Sequence, residues 1–184
     1  KWIRVVRKPD RGERAVGPGV VEAFYYGLIR ATVNDYDYIC KLDGDLEIPF
    51  RYFETLLEYF DADVFLGAAS GKPCMRRPNG VLEPERTNDE MVAGMINFYR
   101  RRCFESIGGF ISQVHWDGIA FHEMRMAGYR TRSFDDLRLR FVHLRQMGSS
   151  HRGIWTGRQR WGRGQYFMGT HPLYLLGIVA YRAL

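Results

Sequence analysis

Acidic residues run out before the chain does. Residues 151–184 contain no aspartate or glutamate, against five arginines: Arg152, Arg158, Arg160, Arg163 and Arg182. Such a segment attracts anions, whether nucleotides, acidic lipid or nucleic acid, and does not choose among them. Cysteine is scarce as well. Cys40, Cys74 and Cys103 are scattered with no CxxC spacing, which points to a reducing compartment and thiols buried in the core. No run reaches the roughly 20 apolar residues that span a bilayer; the closing PLYLLGIVAYRAL reads as a docking helix or a truncated span. The opening KWIRVVRKPD lacks the apolar core of a signal peptide. It also lacks a starting Met, so a piece of a longer protein is expected. Internal repeats and low-complexity tracts are absent.

What is there fits one folded domain. The 184 residues are 46% hydrophobic and 15% aromatic, with a net charge of +6, enough to bury a sizeable core. Residues 2–7 read as a strand, followed by a loop with Gly12, Gly17, Pro18 and Gly19. Val20, Phe24, Gly27, Leu28 and Ala31 recur at helical spacing. Tyr36 to Leu42 predicts a strand, and Pro49 opens a helix whose apolar face is Phe50, Phe53, Leu56, Leu57 and Phe60. A strand over 64–69, a charged loop over 72–90 and a strand over 91–99 follow. A short helix over 103–107 closes on Gly108-Gly109. A helix over 117–127 stops at Gly128. Leu137, Leu139, Phe141 and His143 alternate as one face of a last strand. Strands alternating with helices predict an α/β fold.

Five places draw chemical attention. In KLDGDLEIP, Asp43 and Asp45 flank Gly44 at a strand's carboxyl end, where open α/β sheets bind ligands. Two carboxylates so close repel unless a cation lies between them. Mg²⁺ or Mn²⁺ takes one or two carboxylates and fills its remaining positions with water and phosphates. The tripeptide alone favours an ordinary Asp-Gly turn. Asp117, directly after Trp116, reads as a helix N-cap or as a general base beside an aromatic wall. His143 reads as a core histidine or as a ligand if its strand end lies near Asp45. His122 and Glu123 read as a solvated helix face. The arginines at 152–163, interleaved with Trp155 and Trp161, read as a grip on pyrophosphate, a membrane-facing flank or a solvated loop.

The order of these features resembles the inverting family 2 glycosyltransferases, from about Arg11 to His171. YICKLDGDLEIPFRYFETLL resembles that family's strand, DxD motif and following helix. VAGMINFYRRRCFESIGGF resembles its acceptor-side strand and short helix, and WDGIAFHEMRMAGYRTRSF its catalytic-base helix. VHLRQMGS resembles the strand end that supplies a metal-binding histidine. The resemblance implies a glycosyltransferase-A fold, a mixed central sheet flanked by helices, incomplete at the N-terminus. It implies that residues 1–150 form the catalytic domain and 151–184 a basic, aromatic extension close to a membrane.

The same resemblance assigns roles. Asp45 binds Mn²⁺ or Mg²⁺, His143 completes the shell, and Asp43 contacts the donor or the metal through water. Asp117 deprotonates the acceptor hydroxyl, which inverts the anomeric carbon. Lys41, Gly94 and Trp116 join Asp43 as substrate-binding candidates. The donor is a nucleotide-diphosphate sugar; the acceptor is a glycan, a lipid-linked molecule or a small molecule, in polysaccharide or glycan synthesis. The place is the cytoplasm at the inner membrane face, with peripheral contact through the basic C-terminal segment and no nucleic-acid partner.

Three departures bear on this. Trp116 stands where the family has an acid before Asp117. Gln159-Arg160-Trp161 lacks the two-residue gap of the processive synthases' Gln-x-x-Arg-Trp element. The family's first strand, which holds the nucleotide base, has no counterpart, so weak donor binding by this chain is expected. The rival readings are a degenerate, non-catalytic anion-binding domain and a metal-dependent phosphohydrolase. The latter's Asp-x-Asp loop continues to a Thr where Glu47 stands here.

Overall fold

The computed structural model describes residues 3–13, 15–85, 87–144 and 154–183. Two four-stranded sheets organise it. The first has the order β1 (Tyr38–Leu42), β6 (Ile96–Arg100), β3 (Leu66–Gly71) and β7 (Arg130–Phe134). It is mixed: β6 runs antiparallel to β1 and β3, and β3 runs parallel to β7. The second is built from short strands in the order β2 (Leu46–Glu47), β8 (Phe141–His143), β4 (Pro73–Arg76) and β5 (Leu82–Pro84).

The first sheet is covered on both faces, as a parallel-containing sheet must be. One face carries α1 (Pro18–Leu28), α3 (Arg101–Ser106) and α4 (Trp116–Met126), which pack Val21, Phe104, Phe121 and Met124 against Ile39 and Tyr99. The other face carries α2 (Tyr52–Ala62), whose Tyr52, Leu56 and Phe60 meet Phe98, Leu139 and Phe141. Burying such side chains supplies roughly 1.5–3 kcal/mol each, an upper figure given a compact unfolded chain. Strand β3 reads LGAASG and is buried throughout. Its small residues let other backbone press close: a Cβ on Gly71 would lie 1.7 Å from the Leu139 carbonyl oxygen. Two further helices, α5 (Ile154–Phe167) and α6 (Pro172–Ala183), end the chain. No helix among the described residues is long and apolar enough to cross a membrane.

Several expected elements shift. Residues 3–7 form no strand, and Ile3 and Val5 are exposed, with no neighbouring strand to bury them; Lys1 and Trp2 lie outside the described residues. The strand expected over 137–143 is extended only at Phe141–His143. Asp136 turns the chain first: its carboxylate accepts the Arg138 N–H, and its carbonyl accepts those of Leu139 and Arg140. The loop expected over 72–90 contains the β4–β5 hairpin. Pro73 starts β4, where a missing N–H does little harm, and Gly80 with φ 82° completes the turn. Gln-Met-Gly-Ser and the first residues of the basic segment, 145–153, lie outside the described residues.

Candidate functional site

Strand β1 delivers the first group of side chains. Its register with β6 sets Lys41 opposite Asn97, and the Asp43 N–H continues the ladder to the Met95 carbonyl at 2.9 Å. Lys41 is only 8% exposed. A buried ammonium needs partners, and Lys41 has two: its Nζ lies 2.7 Å from Asp43 Oδ1 and donates to the Gly94 carbonyl at 2.9 Å. The Trp116 ring lies 5.2 Å from the same nitrogen, within cation–π range.

Gly94 joins this pair to Asp117. A Cβ at residue 94 would fall 2.3 Å from Asp117 Oδ2, so any side chain there would make the carboxylate or the loop shift. Asp117 sits in the first turn of α4, and its Oδ1 accepts the Gly118 N–H at 2.9 Å. The positive end of the helix favours an anion there. Below it, Asn97 Nδ2 donates to the Tyr99 hydroxyl at 3.2 Å. Burial pushes that phenol well above its ordinary pKa, and the Asp117 charge adds to the rise. Lys41, Asp43, Gly94, Trp116 and Asp117 therefore share one neighbourhood at the carboxyl end of β1.

Asp45 and His143 form a second group. Leu46 of β2 pairs with His143 of β8, and the Leu144 N–H donates to the Asp45 carbonyl at 3.1 Å. That pairing brings His143 Nε2 to 3.9 Å from Asp45 Oδ2. His143 Nδ1 is buried with no hydrogen-bond partner among the described residues, as is Glu85 Oε1. Burial pushes the Glu85 carboxyl up, and the nearby imidazole draws it down. Among the described residues no group of three or more His, Cys, Asp or Glu side chains is placed to hold a metal ion together. One carboxylate and one imidazole nevertheless fit Mn²⁺ or Mg²⁺, which keep most of their positions for water and phosphates.

A cleft of about 880 Å³ runs between α1 and β1 and ends at Asp43, with Arg11, Gly27 and Lys41 in its walls. Strand β1, which lines it, is the edge strand of its sheet among the described residues.

Sequence reasoning missed two features here. His115 holds a left-handed backbone, φ 64°, directly before α4, and its ring presses against α5: a Cβ on Gly164 would lie 2.5 Å from His115 Nδ1. Burial pushes its imidazole pKa down, against the pull of Asp117 upward. Nothing in the letters marks a histidine for φ > 0. Glu123 is not a fully solvated residue either: its Oε2 is buried.

No family model matches the chain. Curated relatives include the poly-β-1,6-N-acetyl-D-glucosamine synthases of Staphylococcus aureus strains COL and N315. Each is 23% identical over 188 aligned positions, which cover 86% of this chain and 44% of the synthase. The chain thus spans less than half the length of these relatives. Among solved structures, a mannosyltransferase from Pyrobaculum calidifontis in complex with GDP-Man and Mn²⁺ is similar. Its TM-score is 0.50 at 21% identity, over 80% of this chain and 40% of that one. The chain has the glycosyltransferase-A fold. Both comparisons fall on glycosyltransferases, so the resemblance to a glycosyltransferase of this fold holds.

Proposed function

We propose that this chain carries the metal and acceptor half of an inverting glycosyltransferase that uses a nucleotide-diphosphate sugar and serves polysaccharide or glycan synthesis. The observation that carries the reading is the Asp117 carboxylate seated on Gly94 beside the Lys41–Asp43 pair. Asp117 takes the proton of an acceptor hydroxyl as its oxygen attacks the anomeric carbon from the face opposite the diphosphate. The Gly118 N–H and the helix end hold that carboxylate in place. Trp116 walls the acceptor side. Lys41 keeps Asp43 oriented toward the donor's ribose or sugar.

Asp45 and His143 would hold Mn²⁺ or Mg²⁺. Such an ion offsets charge on a leaving diphosphate. The cleft between α1 and β1, with Arg11 in its wall, ends at Asp43 and supports the donor side of the site. Residues 151–184 are the extension, with Arg158, Arg160 and Arg163 and no acid to oppose contact with an anionic membrane face on the cytoplasmic side. The acceptor is a glycan, a lipid-linked molecule or a small molecule.

The test is a screen of nucleotide-sugar donors with Mn²⁺ or Mg²⁺, comparing wild type with Asp117→Asn and Asp45→Ala. Transfer by wild type and its loss in both variants is expected. Full transfer by Asp117→Asn removes the base from this reading. Calorimetry of the chain alone is expected to give donor affinity weaker than low micromolar.

A further inference from the structure

The segment 87–93 forms no helix or strand, yet buried polar side chains tie it down along its length. Ser133 of β7 gives its N–H to the Asp89 carbonyl at 2.8 Å and its hydroxyl to the Asn88 carbonyl at 3.1 Å. Thr131 Oγ1 donates to the Glu90 carbonyl at 2.6 Å. The Ala93 N–H donates to Ser70 Oγ at 2.9 Å. Lys72, between β3 and β4, joins these contacts and is only 5% exposed. Its Nζ lies 2.6 Å from Asp89 Oδ1 and donates to the Thr87 carbonyl at 3.1 Å, to Thr87 Oγ1 at 3.0 Å and to Ser133 Oγ at 2.9 Å. An ammonium has three hydrogens, and these acceptors use them all. Lys72 therefore acts inside the fold and touches no substrate.

The tied segment ends where the candidate site begins. Ala93 leads into Gly94, which lies against Asp117 Oδ2 and gives its carbonyl to Lys41. Glu90 reaches α4 itself, where it pairs with Arg125 at 2.9 Å. A buried ion pair is a poor source of stability, since apolar side chains of similar volume often do as well. What apolar packing does not supply is direction: the bonds from Lys72, Thr131 and Ser133 to backbone carbonyls set where the segment lies. We propose that Lys72 is a positioning residue of the transferase site, acting through segment 87–93 to hold Gly94 at its distance from the Asp117 carboxylate. The proposal rests on the reading of Asp117 as the base. Lys72 keeps Gly94 from pressing on that base or drawing away from it, and keeps the Gly94 carbonyl within reach of Lys41.

Lys72→Met keeps the stem and removes the ammonium, and two readouts test it on the full chain. The first needs no sugar donor. In nitrogen–proton correlation spectra, the Gly118 amide, bonded to Asp117 Oδ1, is expected to shift in Lys72→Met. The Gly108 amide, bonded to the Glu105 carbonyl at the end of α3, is expected to stay in place. Asp89→Asn changes a side chain that is 79% exposed. It is expected to give the same pattern with a smaller shift, and it decides alone should Lys72→Met not fold. The second readout is transfer. In Lys72→Met, kcat is expected to fall about tenfold or more with the donor KM within about twofold, as a misplaced reacting group predicts. Lys72→Met combined with Gly94→Ala is expected to lie within about twofold of Gly94→Ala alone, because both act through one displacement. A lysine that only stabilises the fold lowers the melting temperature, leaves the Gly118 amide unmoved and multiplies its loss of rate with that of Gly94→Ala. An unmoved Gly118 amide or multiplied losses overturns the proposal. If wild type transfers no sugar from any donor, the transferase reading fails, and the Gly118 amide alone decides whether Lys72 sets the surroundings of Asp117.

Discussion

The two halves of the candidate site are built to different standards. The Asp117 half rests on the five-residue β1–β6 register and on an eleven-residue helix. Its polar groups are largely paired inside the protein: Lys41 with Asp43 and Gly94, Asp117 with Gly118, Asn97 with Tyr99. The Asp45–His143 half rests on a two-residue strand against a three-residue one. There the imidazole stops 3.9 Å short of the carboxylate, and His143 Nδ1 has no partner among the described residues. The first half is organised in advance and the second leaves room for something to complete it. That division suits the proposed roles, a base that must not move and a site that must admit and release a diphosphate.

The largest test strikes the organised half. Asp117→Asn keeps the shape and removes the base, so kcat should fall about 10²–10⁴-fold, with the donor KM nearly unchanged. Steady-state transfer rates measure this. A large rise in KM with kcat intact would instead mean that Asp117 binds substrate. Next comes Gly94→Ala. Its methyl would enter the space of Asp117 Oδ2, moving either the loop or the carboxylate, and a displacement near 1 Å costs about 10²-fold in rate. The Lys41 contact to the Gly94 carbonyl should loosen with it, so thermal stability is expected to drop in the same variant. Unchanged stability together with unchanged rate would show that the loop has slack the geometry denies.

The unfinished half should answer to metal rather than to packing. His143→Ala is expected to weaken Mn²⁺ binding roughly 10–100-fold, at least what the loss of a supporting residue around a metal costs. Electron paramagnetic resonance of free Mn²⁺ reads this without any transfer assay. The melting temperature without metal should shift less than in Gly94→Ala. Equal Mn²⁺ affinity in wild type and variant would remove His143 from the shell.

The sequence conveys the two halves unequally too. Asp117 lies on an element long enough to show its period, and Gly94 on the turn that leads into one: the α4 apolar face and the Phe98–Tyr99 strand are legible as letters. The DGD turn is legible as a strand end. The partner of Asp45 is not, because β2 and β8 are too short for alternation to appear, and the run from Leu137 to His143 mimics a full strand. Its alternation is accidental. Leu139 is buried from a turn, and Asp136 with its three backbone acceptor contacts makes that turn. The hairpin at 73–84 stays hidden for a related reason: its prolines and charges read as loop, while its pairing is set by β8, seventy residues away. His115 is illegible because its ring packs against α5, a contact between distant segments.

The smallest expected effect tests whether that turn truly serves the second half alone. Asp136 accepts hydrogen bonds from the Arg138 guanidinium at 2.8 Å and the Tyr59 hydroxyl at 3.0 Å. The Arg138 bond leads in holding its carboxyl pKa down to about 2, from an ordinary 3.8. A depressed carboxylate stabilises the fold above its unfolded pKa, and that stability is lost as pH falls through the folded value, here between about 4 and 2. Arg138 is half exposed, so solvent discounts the contribution to about 1 kcal/mol. Asp136→Asn should remove it at neutral pH and flatten stability across that acid window. Amide exchange then separates the two halves. The Phe141 N–H, held by the Lys72 carbonyl, and the Leu144 N–H, held by the Asp45 carbonyl, should exchange faster. The Asp43 N–H, held by Met95 at the end of β1, should not. Equal acceleration at all three would mean that the two halves open together, and that the ion site is as firmly built as the base.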